Sequence, residues 1–172
     1  MIRALDPSDD LVALTALIHA AYAPQAERGL RYWGTHQTVE DTRTRFAAGH
    51  GFVAELNGRF VGTITVRPPQ PASPVQIYRD PGTWSIGQYA VHPELKGNGL
   101  GRQLHERAVK HARDHGAVTM ALDTAQPAVS LIAMYRRWGY EVVGEADWRP
   151  HTNYSSVIMS KSILRGDVED EL

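Results

Sequence analysis

Tyr89-Ala90-Val91-His92-Pro93-Glu94-Leu95-Lys96-Gly97-Asn98-Gly99-Leu100-Gly101-Arg102 runs, residue by residue, from a buried strand through a proline turn and a glycine-rich loop into a helix. The helix shows just downstream, where Leu100, Leu104, Ala108 and Ala112 recur every four residues on one face. Glycines at 97, 99 and 101 leave the loop without side chains that would block a close approach by a ligand. Free N–H groups of a first helical turn, at the positive end of the helix dipole, favour an anion there. Lys96 and Arg102 add positive charge beside that point. The run predicts a site for a phosphate-bearing ligand, with an ordinary tight turn as the plainer alternative.

Two phosphate loops are excluded by spacing. A dinucleotide fingerprint needs a third glycine three positions after Gly99, where Arg102 stands. A P-loop ends in Gly-Lys-Ser/Thr, and Gly101-Arg102-Gln103 does not supply it. What remains is a basic residue, two spacers and Gly-x-Gly after a strand ending Ala-Val-His-Pro. This resembles the pyrophosphate loop of the GNAT-type N-acetyltransferase superfamily, which cradles the diphosphate of acetyl-coenzyme A. The resemblance implies a cofactor site at Lys96, Gly97, Asn98, Gly99, Leu100, Gly101 and Arg102. The family's first loop position is usually Arg or Gln; Lys96 keeps a cation but lacks the planar fork of Arg.

Downstream, Ala117 to Asp123 is a short apolar run, and Leu131, Met134, Tyr135 and Trp138 then form a helical stripe closed by Gly139. Tyr135-Arg136-Arg137-Trp138-Gly139-Tyr140 is similar to the second hallmark of the same family, whose tyrosine lies beside the sulfur of coenzyme A. The resemblance implies that Tyr135 protonates the departing thiolate, general-acid work for a phenol of ordinary pKa about 10. Packing of Tyr135 in the helix stripe is the alternative. The family often has Asn seven residues earlier, and this chain has Ala128. Oxyanion donors are implied at the end of the fourth strand, around Ala90 and Val91, with Val91 also pairing the pantetheine amides. Some relatives place a basic Glu on that strand. Here it offers Ser85, Gln88 and Tyr89, so His92, Asp123 and His151 are the candidate bases, each with a structural or solvated alternative.

The 172 residues suit one domain, and 42% hydrophobic with 22% charged residues describes an ordinary globular chain. A net charge of −1 gives no broad electrostatic case for nucleic acid or an anionic membrane. The absence of cysteine removes disulfides, thiolate zinc sites and a cysteine acyl-enzyme. His111 and His115 share a helix face without a third ligand, so no metal site is expected and both are read as solvent-exposed. With no apolar leader or 18-residue apolar run, a soluble cytoplasmic protein is the expectation.

The element pattern starts with a strand at 1–5 and a helix opening near Ser8 or Asp9, its apolar face Leu11, Leu14, Ile18 and Ala21, with Pro24 beyond its end. Thr38 is placed as the N-cap of a second helix. Asn57-Gly58 marks a hairpin, five prolines make 67–82 a loop, and 83–91 is a strand. Two last strands follow, from Tyr140 to Glu145 and from Tyr154 to Lys161. The order β-α-α-β-β-β-α-β-α-β-β gives an α/β (α+β) domain with a mixed sheet over 1–164, and 165–172 is expected to be an acidic, mobile tail. The last two strands are expected to leave an apolar edge at Val157, Ile158 and Met159, covered by a loop or by a second copy in a homodimer. Acetyl-coenzyme A as cosubstrate and a small-molecule amine as acceptor complete the expectation. A coenzyme A-binding sensor without turnover is the alternative. Tyr32 and Trp33 either stack on a cationic acceptor or fill core.

Overall fold

The computed structural model describes residues 1–164. The expected acidic tail, 165–172, lies outside the described residues. The chain forms β1 (Ile2–Ala4), α1 (Leu11–Glu27), α2 (Val39–Ala47), β2 (His50–Leu56), β3 (Arg59–Arg67), α3 (Gln76–Arg79), β4 (Thr83–Val91), α4 (Leu100–Asp114), β5 (Thr119–Ala125), α5 (Val129–Arg137), β6 (Glu141–Asp147) and β7 (Ser155–Ser162). The order is the one expected, with the short α3 added inside the proline-rich loop.

Local signals explain the ends of these elements. Asp10 caps α1 by accepting from the amides of Val12 and Ala13. Thr38 and Asp41 close a reciprocal capping box on α2. Asn57 and Gly58 both take positive φ, 51° and 73°, as a two-residue hairpin turn between right-twisted strands requires. Pro24 lies within α1 rather than beyond it. Its missing N–H costs one bond in the last turns, which the burial of Leu14, Leu17, Ile18 and Ala21 offsets.

Seven strands make one sheet in the order β1-β2-β3-β4-β5-β7-β6, antiparallel throughout except for the β4–β5 pair. Successive residues of β2 face opposite layers. Val53 packs with Leu14, Leu17 and Phe46 of α1 and α2. Phe52 and Ala54 join the larger core formed with Leu104, Ala108 and Ala112 of α4, Ile132 and Tyr135 of α5, and Met120, Leu122 and Met159 of the sheet.

Two expectations are corrected. Val157, Ile158 and Met159 are not at an edge: β7 inserts between β5 and β6, pairs with both, and buries all three. The edge strand is β6, where Val142 and Val143 stay exposed, so the homodimer expectation rested on the wrong strand. His111 is not free in solvent either. Its ring stacks between His50 at 4.2 Å and His115 at 4.2 Å, with Phe52 and Trp84 edge-on. Partial burial first, then the two neighbouring imidazoles, hold its pKa down to about 4.

Candidate active site

The centre of the sheet is interrupted. β4 and β5 pair only where Thr83, Trp84 and Ser85 meet Thr119, Met120 and Ala121. From Ile86 to Val91, β4 keeps its ladder with β3 but has no partner residue on β5. Peptide groups on that side lack a strand partner, although the carbonyls of Ile86 and Tyr89 accept from the Arg67 guanidinium and the Tyr22 hydroxyl. β4 also bulges, because Gln88 and Tyr89 both fall opposite Ile64, between the Thr63–Ala90 and Thr65–Gly87 pairs.

A buried polar network, invisible in the sequence, holds the bulge. Gln88 sits at φ 45° and is buried. Its Oε1 accepts from Gln37 Nε2 at 2.8 Å, and Gln37 Nε2 also donates to Thr42 Oγ1 at 2.7 Å. The hydroxyls of Thr42 and Thr15 are 2.6 Å apart. Arg45 Nη1 donates to Gln37 Oε1 at 2.7 Å. An unpaired member of such a set would lose about 1–3 kcal/mol, so complete pairing makes an unfavourable backbone angle affordable. Tyr22 adds a hydrogen bond from its hydroxyl to the carbonyl of Tyr89, 2.8 Å.

Beyond Val91, a turn at Pro93–Leu95 leads into the glycine loop. Gly97 and Gly99 have φ of 86° and 87° and open space where a Cβ would stand. Gly101 differs: a Cβ there would lie 3.1 Å from the Tyr89 hydroxyl, which donates to the Gly101 carbonyl. Its smallness thus serves close packing of α4 on β4. Asn98 Oδ1 takes the Leu100 amide at 3.2 Å. The amides of Gly97, Asn98, Gly99, Gly101 and Arg102 have no acceptor among the described residues. Five unpaired donors at a helix N-terminus are an arrangement that favours an anion. The Lys96 amine lies apart, donating to the carbonyl of Ala21 at 3.3 Å and so tying the loop to α1. Arg102 is exposed, paired with Glu106 at 3.3 Å and lying over the Trp138 ring.

Tyr135 is buried, its ring edge-on to Trp138 and Tyr140. Its hydroxyl makes no hydrogen bond among the described residues. Burial, then the phenols of Tyr89, Tyr22, Tyr140 and Tyr32, raise its pKa well above the usual phenol value, so the proton stays on oxygen. Ala90 packs on Ile18 and Ala21 of α1, whereas Val91 belongs to the α4 layer. Asp123 on β5 accepts from the Tyr78 hydroxyl at 2.6 Å. His92 Nδ1 accepts the Glu94 amide, a turn role. His151 stacks on Trp33, ring centroids 4.4 Å apart, and Arg45 lies over the same indole. Tyr32 is core, bonded to Thr124. Ala128 is buried at the start of α5 without a side-chain cap.

Among the described residues no group of three or more His, Cys, Asp or Glu is placed to hold a metal ion, and no helix is long and apolar enough to cross a membrane. A cleft of about 680 Å³ between α3 and β6, lined by Val75, Gln76, Val143 and Trp148, lies away from the interrupted ladder. A model of the acetyltransferase (GNAT) family matches residues 14–140. The chain is 31% identical over 140 residues to an S-(2-succino)cysteine N-acetyltransferase of Bacillus subtilis, covering 80% of this chain and 82% of that one. It is 28% identical over 144 residues to an S-alkylcysteine N-acetyltransferase of the same organism, covering 81% and 78%. Its fold matches a GNAT family acetyltransferase from Elizabethkingia anophelis, solved with acetyl-CoA bound, with a TM-score of 0.69 over 95% of this chain and 97% of that one at 13% identity.

Proposed function

The chain belongs to the GNAT acetyltransferase family, and on that premise we propose that it transfers an acetyl group from acetyl-coenzyme A to the primary amine of a small molecule by direct attack. The observation that carries this reading is the coincidence of two features on β4: a ladder left open from Ile86 onward, and a five-amide cradle immediately beyond it. A long ligand with a diphosphate at one end and amides along its arm fits that pair of features. Acetyl-coenzyme A supplies the activated thioester. The two curated relatives act, by their names, on cysteine derivatives, which supports a small acceptor here.

In this reading Gly97, Asn98, Gly99, Gly101 and Arg102 hold the diphosphate through backbone N–H groups, and Leu100 starts the helix whose dipole adds to them. Lys96 positions the loop from α1 rather than contacting phosphate. Open peptide groups near Ala90 and Val91 align the arm and meet the negative charge that develops on the transferring carbonyl. The amine forms the new N–C bond as the C–S bond breaks. Its proton leaves to Asp123, directly or through water, and Tyr135 donates toward the departing sulfur. The cradle and the acceptor lie on opposite faces of β4. Gly101 meets Tyr89 and Val91 of the α4 layer, whereas Gly87 faces α2. Both reactants therefore reach the gap at once without crossing.

The test is thiol release from acetyl-coenzyme A with a panel of small amines, alongside calorimetry of coenzyme A binding. Amine-dependent thiol release is expected. Binding without release from any amine would leave a coenzyme A-binding domain of this fold, and absence of binding would reject the cradle.

A further inference from the structure

The interrupted strand carries a second feature on the face away from the glycine loop. Arg45 reaches over from α2 and Arg67 from the end of β3, and both converge on Gly87. A Cβ built at Gly87 would lie 3.4 Å from Arg67 Cζ, 3.6 Å from Arg67 Nη1 and 3.7 Å from Arg45 Nη2. Glycine leaves that space empty. Both guanidinium groups are held by neutral acceptors alone: Arg45 by Gln37 Oε1 at 2.7 Å, Arg67 by Ser85 Oγ at 3.2 Å and the Ile86 carbonyl at 3.3 Å. Among the described residues neither has a carboxylate within 4.0 Å, although six other ion pairs form.

We propose that this face of the gap binds an acceptor carrying a carboxylate, clamped between Arg45 and Arg67 above Gly87, so that the acceptor is an amino acid or a close derivative. The inference deepens the acetyl-transfer reading and rests on it. Two partly buried like charges pointing at one empty spot are unfavourable until an anion neutralises them. Burial and the neighbouring Arg67 already disfavour the charged form of Arg45. A planar carboxylate matches the fork of a guanidinium. Charge balance selects it over a phosphate dianion: two arginines against Asp123 leave one net positive charge. Asp123 stands across the gap on β5, bonded to Tyr78, whose ring also lies beside the Arg67 guanidinium. An amino acid held by its carboxylate thus has its amine directed toward the group that takes the proton. The indole of Trp33 beneath Arg45 fixes the other side of the clamp.

The experiment measures thiol release with a panel of free amino acids, S-methylcysteine among them, each against its own carboxamide. Calorimetry on coenzyme A-loaded protein compares the N-acetylated acids with the N-acetylated amides. Acids are expected to lead amides roughly tenfold to hundredfold, the effect of losing a charge-assisted hydrogen bond. Arg67→Gln is expected to abolish that lead while acetyl-coenzyme A affinity stays unchanged. Arg45→Gln should act alike; because Arg45 also braces Gln37, the Arg67 variant carries the test if the Arg45 variant unfolds. Amides matching acids in the unmodified protein, or a lead that survives Arg67→Gln, overturns the clamp and leaves acetyl transfer standing. Tighter binding of acetylated acids with no thiol release from any amine supports the clamp and overturns the transfer reading. Equal failure of acids and amides to bind overturns the clamp.

Discussion

Replacing Tyr135 with Phe removes one oxygen and keeps the ring against Trp138 and Tyr140. The hydroxyl has no hydrogen-bond partner among the described residues, in a side chain only 6% exposed. The oxygen is not one of the fully buried, unpartnered polar atoms among the described residues, so Tyr135→Phe should be neutral or stabilising by less than about 0.5 kcal/mol in the ligand-free protein. For a domain of this size that is a rise in melting temperature of at most about 2 °C. Turnover should move the other way. Positioned proton donors contribute about a hundredfold to ten-thousandfold. A phenol whose pKa is pushed upward is a weaker acid, and solvent competes to protonate a thiolate, so the loss belongs near a hundredfold, about 2.7 kcal/mol of barrier. Thermal unfolding and thiol release on the same preparation measure both. Unchanged turnover, or a drop in stability beyond about 1 kcal/mol, would assign the hydroxyl to the fold and refute its role toward sulfur.

Gly99→Ala forces a side chain into φ 87° and should weaken acetyl-coenzyme A binding in calorimetry, with a strain of about 1–2 kcal/mol. Lys96→Ala should leave that affinity nearly intact and instead lower the melting temperature, because its amine holds α1. Thr42→Val orphans one Gln37 N–H donor beneath the bulge and should cost about 1–3 kcal/mol in urea unfolding; a loss under about 0.5 kcal/mol would show that the network relaxes freely. His111 titrates near 4 in the fold, and the buried His105, bonded to Tyr140, near 3, against 6.5 when unfolded. The unfolded chain therefore takes up protons first. The stability is complete above pH 6.5 and is lost as pH falls through these folded values, a slope that His111→Phe should reduce in urea midpoints taken from pH 7.5 to 4.5.

Signals confined to a few neighbouring residues were legible in the sequence. Asn57-Gly58 specified its turn, Thr38 its capping box, and the strand at 83–91 and the glycine loop lie where the pattern placed them. The same local reading could not show that Gly101 packs against Tyr89 across twelve residues, or that the Lys96 amine bonds a carbonyl of α1. The insertion of β7 between β5 and β6 was hidden because strand order is set by pairing between distant segments, which the local run Val157-Ile158-Met159 does not specify. Arg45 and Arg67 are unremarkable letters until α2 and β3 bring them to one glycine.

The three-residue β4–β5 ladder gives this sheet a seam. Among the described residues, four strands on one side and three on the other are joined by backbone at one end, where Gly82 to Ser85 meet Val118 to Ala121. The middle of a sheet is ordinarily the last place to exchange its amide hydrogens for deuterium. Here alternate amides between Ile86 and Val91, those turned from β3, should exchange as early as surface positions in the ligand-free protein. An occupant of the seam would supply the missing rungs, slowing exchange there and linking the two half-sheets so that the fold gains cooperativity in step with ligand concentration.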